Sequence, residues 1–196
     1  MSAQTAGELA LESFCRARQI PCRKIEEGSD STPDYEVVLN SAIVYVEVKD
    51  IEEDENFRGA VVSRTVGSHV RAKIGEAKGQ LQPVAKAGAP TLLLIYNALD
   101  PFQLFGTEQD DFLAAMYGEF TVAINLSSNK IVDSFQGRNR SLAAEKNTSF
   151  SAVGGIYTAR GGVSVVIYEN VFAKNPIDFS SLPACIDARR VAIEER

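Results

Sequence analysis

The chain has 196 residues, of which 45% are hydrophobic and 23% charged, and a net charge of −6. That is the profile of one ordinary globular domain over residues 1–196, long enough for a single well-buried core. No apolar run approaches the roughly 20 residues needed to span a bilayer. The acidic balance argues against tight non-specific grip on a phosphate backbone, although the distribution of charge counts for more than its sum.

Taken in order, Met1–Thr5 has no basic segment followed by an apolar one, so nothing there reads as a signal peptide, and a cytoplasmic location is expected. From about Thr5 to Gln19, Ala6, Leu9, Ala10, Phe14 and Ala17 recur at three-to-four spacing, which predicts an amphipathic helix that Pro21 ends. Glu8, Glu12 and Arg16 repeat every four residues along another stripe; a solvated face with an i,i+4 pair is the plain reading. Cys22–Glu27 predicts a first strand, and Gly28–Pro33 a turn-rich connection. The three cysteines, Cys15, Cys22 and Cys185, have neither metal-ligand spacing nor a framework pattern, and read as reduced core thiols. One histidine, His69, with no serine or cysteine motif beside it argues against a nucleophilic triad.

Pro33–Leu39 and Ile43–Asp50 are rich in β-branched and aromatic residues, with Asn40-Ser41 between them, and predict an antiparallel hairpin. In the second strand Val44, Val46 and Val48 share one face, while Tyr45, Glu47 and Lys49 share the other. Glu47 and Lys49 then stand roughly 7 Å apart, pointing the same way, with Asp34 at the start of the neighbouring strand about 5 Å to the side. Two carboxylates and one ammonium converge there, a set of hard oxygen ligands suited to Mg²⁺. The acid-rich run Asp50–Glu55 predicts a solvated loop.

Next, Val70, Ile74, Ala77, Leu81 and Val84 predict a long helix over Ser68–Ala87, with His69, Lys73, Glu76 and Gln80 in a stripe beside the buried one. Arg64–Lys86 is the most basic window, with five Arg or Lys against one acid. Thr91–Asn97 is apolar on both faces, as a central strand covered by helices would be, and a parallel crossover unit is expected. Gly106–Tyr117 predicts a shorter helix and Glu119–Leu126 a strand. Ser127–Thr148 is polar and predicts an irregular loop or hairpin, in which Arg138 and Arg140 are available to phosphate. Ser149–Tyr157 and Val163–Tyr168 predict two strands joined through Gly161-Gly162.

Pro33-Asp34 followed by Glu47-x-Lys49 on the next strand resembles the PD-(D/E)xK motif of the restriction-endonuclease-like nucleases. Val70–Leu81 resembles the helix that follows the catalytic strand in those proteins, where a glutamine is often found. Asn147–Val153 and Val166–Ala173 resemble the C-terminal part of a bacterial nuclease-like group, which extends the likeness over about Leu9–Ala173. The resemblance implies an α/β fold with a restriction-endonuclease-like core, a mixed central sheet flanked by helices. It implies metal-assisted phosphodiester hydrolysis, with Asp34, Glu47 and the Val48 carbonyl, joined by Glu12, holding Mg²⁺ or Mn²⁺. Lys49 would position or activate the attacking water, Gln80 would approach the site, and Lys73, Arg138 and Arg140 would meet nucleic acid, expected to be DNA. A second copy of the chain or another protein is carried as a further partner. Two rival readings stand beside the nuclease: a catalytically silent nuclease-like interaction protein, and a metal-dependent hydrolase of a small phosphorylated molecule.

Overall fold

A computed structural model of the chain describes residues 3–26, 31–52, 54, 64–100, 102–103, 105–159 and 161–193. Its elements are α1 (Ala6–Ala17), β1 (Cys22–Lys24), β2 (Tyr35–Leu39), β3 (Ala42–Ile51), α2 (Ser68–Lys86), β4 (Thr91–Asn97), α3 (Gln109–Tyr117), β5 (Glu119–Asn125), β6 (Lys130–Arg138), β7 (Ala152–Ala159), β8 (Gly162–Glu169) and β9 (Ile186–Arg189). Seven strands form one mixed sheet in the order β1-β2-β3-β4-β7-β8-β9, and β5-β6 form a separate ribbon. Within the large sheet β3, β4 and β7 run parallel, and antiparallel pairs flank them. The fold class is therefore α/β with a mixed sheet flanked by three helices. No described helix is long and apolar enough to cross a membrane.

Side-chain alternation in β4 explains the layering. Leu92 and Leu94 enter a core shared with α1, while Leu93 and Ile95 enter a second core shared with α2 and α3. A strand apolar on both faces can sit only where both faces are covered, and β4 is the middle strand. The β2–β3 hairpin closes through Asn40 and Ser41, both at positive φ (45° and 72°), the conformation a two-residue primed turn requires.

α1 docks more deeply than its apolar spacing predicts. Thr5 and Glu8 form a reciprocal capping box, and the helix buries Gly7, Glu8, Ala10, Leu11, Phe14 and Cys15. The predicted stripe is thus rotated, and Leu9 is exposed. The rotation follows from Asp50, whose carboxylate accepts from the Gly7 N–H (3.0 Å) and the Thr5 hydroxyl (3.1 Å). Asp50 is therefore the last-but-one residue of a strand and an anchor for a helix N-terminus, not part of a solvated loop. Of the rest of that acidic run, Glu53 and Glu55 lie outside the described residues, as do Glu27, Gly28, Ser29 and Asp30 of the predicted strand end and turn.

α2 buries Val70, Ile74, Ala77, Leu81 and Ala85, the predicted stripe with Ala85 in place of Val84. The polar stretch after β5 contains a full strand, β6, so the hairpin alternative is the one adopted there. Asn170, after β8, is buried; its amide donates to the Phe150 carbonyl (2.6 Å) and its oxygen accepts from the Phe172 N–H (3.0 Å). The Asn in that resembled segment thus ties β8 to the loop before β7.

Candidate active site

β2 and β3 pair with Tyr35 opposite Val46, so Asp34 stands opposite Glu47, one step before the start of β2. There Asp34 continues the ladder with its side chain: Oδ2 accepts from the Val48 N–H at 2.8 Å. A strand residue's own N–H and C=O project to the same side, so the Val48 carbonyl points to the side that Asp34 occupies. Glu47 and Lys49 alternate away from the α1 face, which holds Val44, Val46 and Val48, and so lie on the α2 side of the sheet. Lys49 Nζ sits 2.7 Å from Glu47 Oε1. The predicted convergence of Asp34, Glu47 and Lys49 is therefore present in the structure.

Glu47 is only 1% exposed, and its Oε2 has no hydrogen-bond partner among the described residues. Burial, and then the charge of Asp34, push its carboxyl up to about 7; the Lys49 ammonium and the Asp34 peptide N–H offset only part of this. Asp34 is also raised, by burial first and with a contribution from Glu8, against the lowering effect of the Val48 N–H and of Lys49 and Lys24. Two carboxylates raised side by side, one with an orphaned buried oxygen, form a pocket whose negative potential Lys49 and Lys24 offset only in part.

Among the described residues no group of three or more His, Cys, Asp or Glu side chains is arranged to hold a metal ion. The set present, two carboxylates and a backbone carbonyl, is too small and too oxygen-rich for a structural zinc site. It fits Mg²⁺, which takes one or two protein carboxylates and keeps several waters. The unpaired Glu47 Oε2 is the atom such an ion would satisfy.

The remaining predicted residues divide. Gln80 is half-buried on α2. A Cβ at the preceding Gly79 would lie 3.7 Å from the Ser31 hydroxyl, so this turn of α2 flanks the chain entering Pro33-Asp34. Lys73 lines an open cleft of about 470 Å³ with Asp50, Glu52, His69 and Glu76, beside the end of β3. There it pairs with Glu76 at 2.9 Å. Arg64, from the same basic window, pairs with Asp111 and with Glu108. His69 pairs with Asp54, a structural use.

Glu12 does not join Asp34 and Glu47. Its Oε1 accepts from the Tyr35 hydroxyl (3.0 Å) and from Gln4 (2.6 Å) on the α1 side of the sheet, because Tyr35 alternates to the face opposite Glu47. The helical acid nearer the site is Glu8, one turn earlier, buried and paired with Lys24 at 2.8 Å. Lys24 also stands over the Tyr35 ring at 5.8 Å. Helical spacing alone marks neither Glu8 nor Lys24 for the site, though Thr5-x-x-Glu8 carries the capping-box spacing that fixes Glu8 in place. Arg138 and Arg140 are exposed on and after the separate β5–β6 ribbon, and Arg140 uses its carbonyl to accept from Lys146. Their ribbon is not hydrogen-bonded to the sheet that carries Asp34 and Glu47.

A scan against protein-family models found no match, and comparisons with curated proteins and with solved structures found none either.

Proposed function

We propose that the chain is a metal-dependent phosphodiester hydrolase of the PD-(D/E)xK type with a restriction-endonuclease-like core, acting on nucleic acid. One observation carries the reading: Asp34, Glu47 and Lys49 meet at the start of β2, with a buried Glu47 oxygen that no group among the described residues satisfies. Asp34, Glu47 and the Val48 carbonyl would hold Mg²⁺ or Mn²⁺. Such an ion supplies Lewis-acid activation of a phosphoryl oxygen and a more acidic water.

The protein's own contribution is positioning. The Val48 N–H fixes the Asp34 carboxylate, and burial keeps Glu47 in one orientation. Lys49, one-fifth exposed and drawn toward Glu47, would hold the attacking water and place positive charge beside the phosphate oxygens. Gln80 would border the same space from α2. Lys73 could reach substrate phosphate only by leaving Glu76.

The neutralisation of Lys73 and Arg64 by acids favours one second reading, a small phosphorylated substrate that needs no wide basic surface. Calorimetric titration with Mg²⁺ and Mn²⁺, run beside cleavage of single-stranded DNA, double-stranded DNA, RNA and free nucleotides, separates these. Ion binding and polynucleotide cleavage that both vanish in Glu47→Ala support the nuclease. Turnover of nucleotides alone moves the assignment to the small substrate. Absence of ion binding in the wild-type protein refutes both and leaves an interaction protein.

A further inference from the structure

The β5–β6 ribbon displays an apolar face that the other described residues leave exposed. Phe120, Val122 and Ile124 alternate onto one side of β5, and Ile131 stands opposite Ile124. Val132 adjoins at the register shift after Ala123, and Leu126 lies just past the strand at the tip. These six side chains are between 40% (Val122) and 92% (Leu126) exposed. The other side of the ribbon, with Thr121, Ala123, Asp133 and Phe135, is half-buried, and both strands pack against α3.

Alternation of this kind normally turns polar residues to water; here the outward side of β5 is the apolar one, with Ser134 of β6 opposite Val122. At about 150 Å² for a fully exposed large side chain, the six expose roughly 600 Å² of apolar surface. That is the upper end of what a monomer leaves bare, and most of the roughly 800 Å² that one partner contributes to a standard interface. A two-stranded ribbon is also marginal by itself and gains from being covered.

We propose that this face is a two-fold interface between two copies of the chain. Three features select a second copy over other occupants. None of the six residues is charged, so the face offers a polyanion nothing to pair with. The ribbon is antiparallel and β5 runs without a bulge of its own, both register shifts falling on β6, so a two-fold axis crossing β5 near Val122 and Ile124 lays one apolar face against the other. The large residues stand at opposite ends, Phe120 at the root and Leu126 at the tip, so the same axis sets Phe120 of each copy against Leu126 of its mate. That is the self-complementarity an isologous contact requires.

Sedimentation velocity on the full chain at micromolar concentrations tests this. The expected result is a species of twice 21.3 kDa. Ile131→Glu and, separately, Ile124→Lys should each weaken self-association by at least about thirtyfold while leaving the circular dichroism spectrum unchanged, because both side chains are already exposed, and their melting temperature should fall no lower than that of the wild type diluted to monomer. A mixture of Phe120→Cys and Leu126→Cys chains should form a mixed pair joined by a short bismaleimide. A wild-type monomer, a dimer that survives both charge substitutions, or open-ended higher species would overturn the proposal.

Discussion

Glu47 should give the apo protein a characteristic loss of stability as pH rises. Its carboxyl titrates near 4.5 in the unfolded chain and is raised to about 7 in the fold. The folded state therefore holds the proton more tightly, so the contribution favours folding below pH 4.5, declines between 4.5 and 7, and is gone above 7. A displacement of this size corresponds to roughly 3 kcal/mol. Because the residue is 1% exposed, solvent screening reduces this little. The raised carboxyls of Asp34 and Asp50 slope the same way, so the measurement has to be a difference. Urea denaturation of the wild type and of Glu47→Gln between pH 4.5 and 8.5, both in EDTA, isolates it. The variant should become the more stable protein by about 2–3 kcal/mol at the alkaline end, with little advantage at the acid end. Saturating Mg²⁺ should flatten the wild-type curve and leave the variant's unchanged, since the ion binds only the ionised form. Parallel pH curves for the two proteins would refute the claim that burial and Asp34 hold the Glu47 proton, and with it the electrostatic case for a cation at Glu47 Oε2.

Other substitutions test the remaining structure. Lys49→Ala should abolish cleavage while Mg²⁺ binding, measured by calorimetry, is largely retained; cleavage at the wild-type rate would refute its assigned role. Gly7→Ala should destabilise by about 1–3 kcal/mol despite a gain of about 1 kcal/mol in helix propensity. A Cβ there would lie 2.3 Å from Asp50 Oδ1 and 2.9 Å from Val48 Cγ1, and a lower melting temperature is the check. Asn170→Ala should cost about 2 kcal/mol of unfolding free energy, read from the shift in denaturant midpoint at constant slope, because the Phe150 carbonyl and the Phe172 N–H lose their partner in a buried site.

Much of the site was legible before the fold. Period-two alternation placed Glu47 and Lys49 on one face, and the Asn40-Ser41 turn fixed the register that brings Asp34 opposite Glu47. The apolar run of β4 and the α2 stripe placed the central strand and a covering helix for the same reason: each encodes its burial in its own periodicity. What periodicity does not encode is a single contact that overrides it. Asp50 captures the α1 N-terminus and rolls the helix, so Glu8 is buried and Leu9 is not.

By itself, then, the sequence determined the mixed α/β character, the hairpin, and the three charged groups that gather at its end, since local spacing and turn chemistry suffice for each. Tertiary structure alone decided that Glu12 belongs to Tyr35, because which helical acid faces which strand depends on the docking angle of α1. It also decided that β9 pairs parallel to β8, and that one side of β5–β6 is left bare. Those outcomes depend on contacts between segments distant in the chain, where no local pattern reports which surfaces are covered.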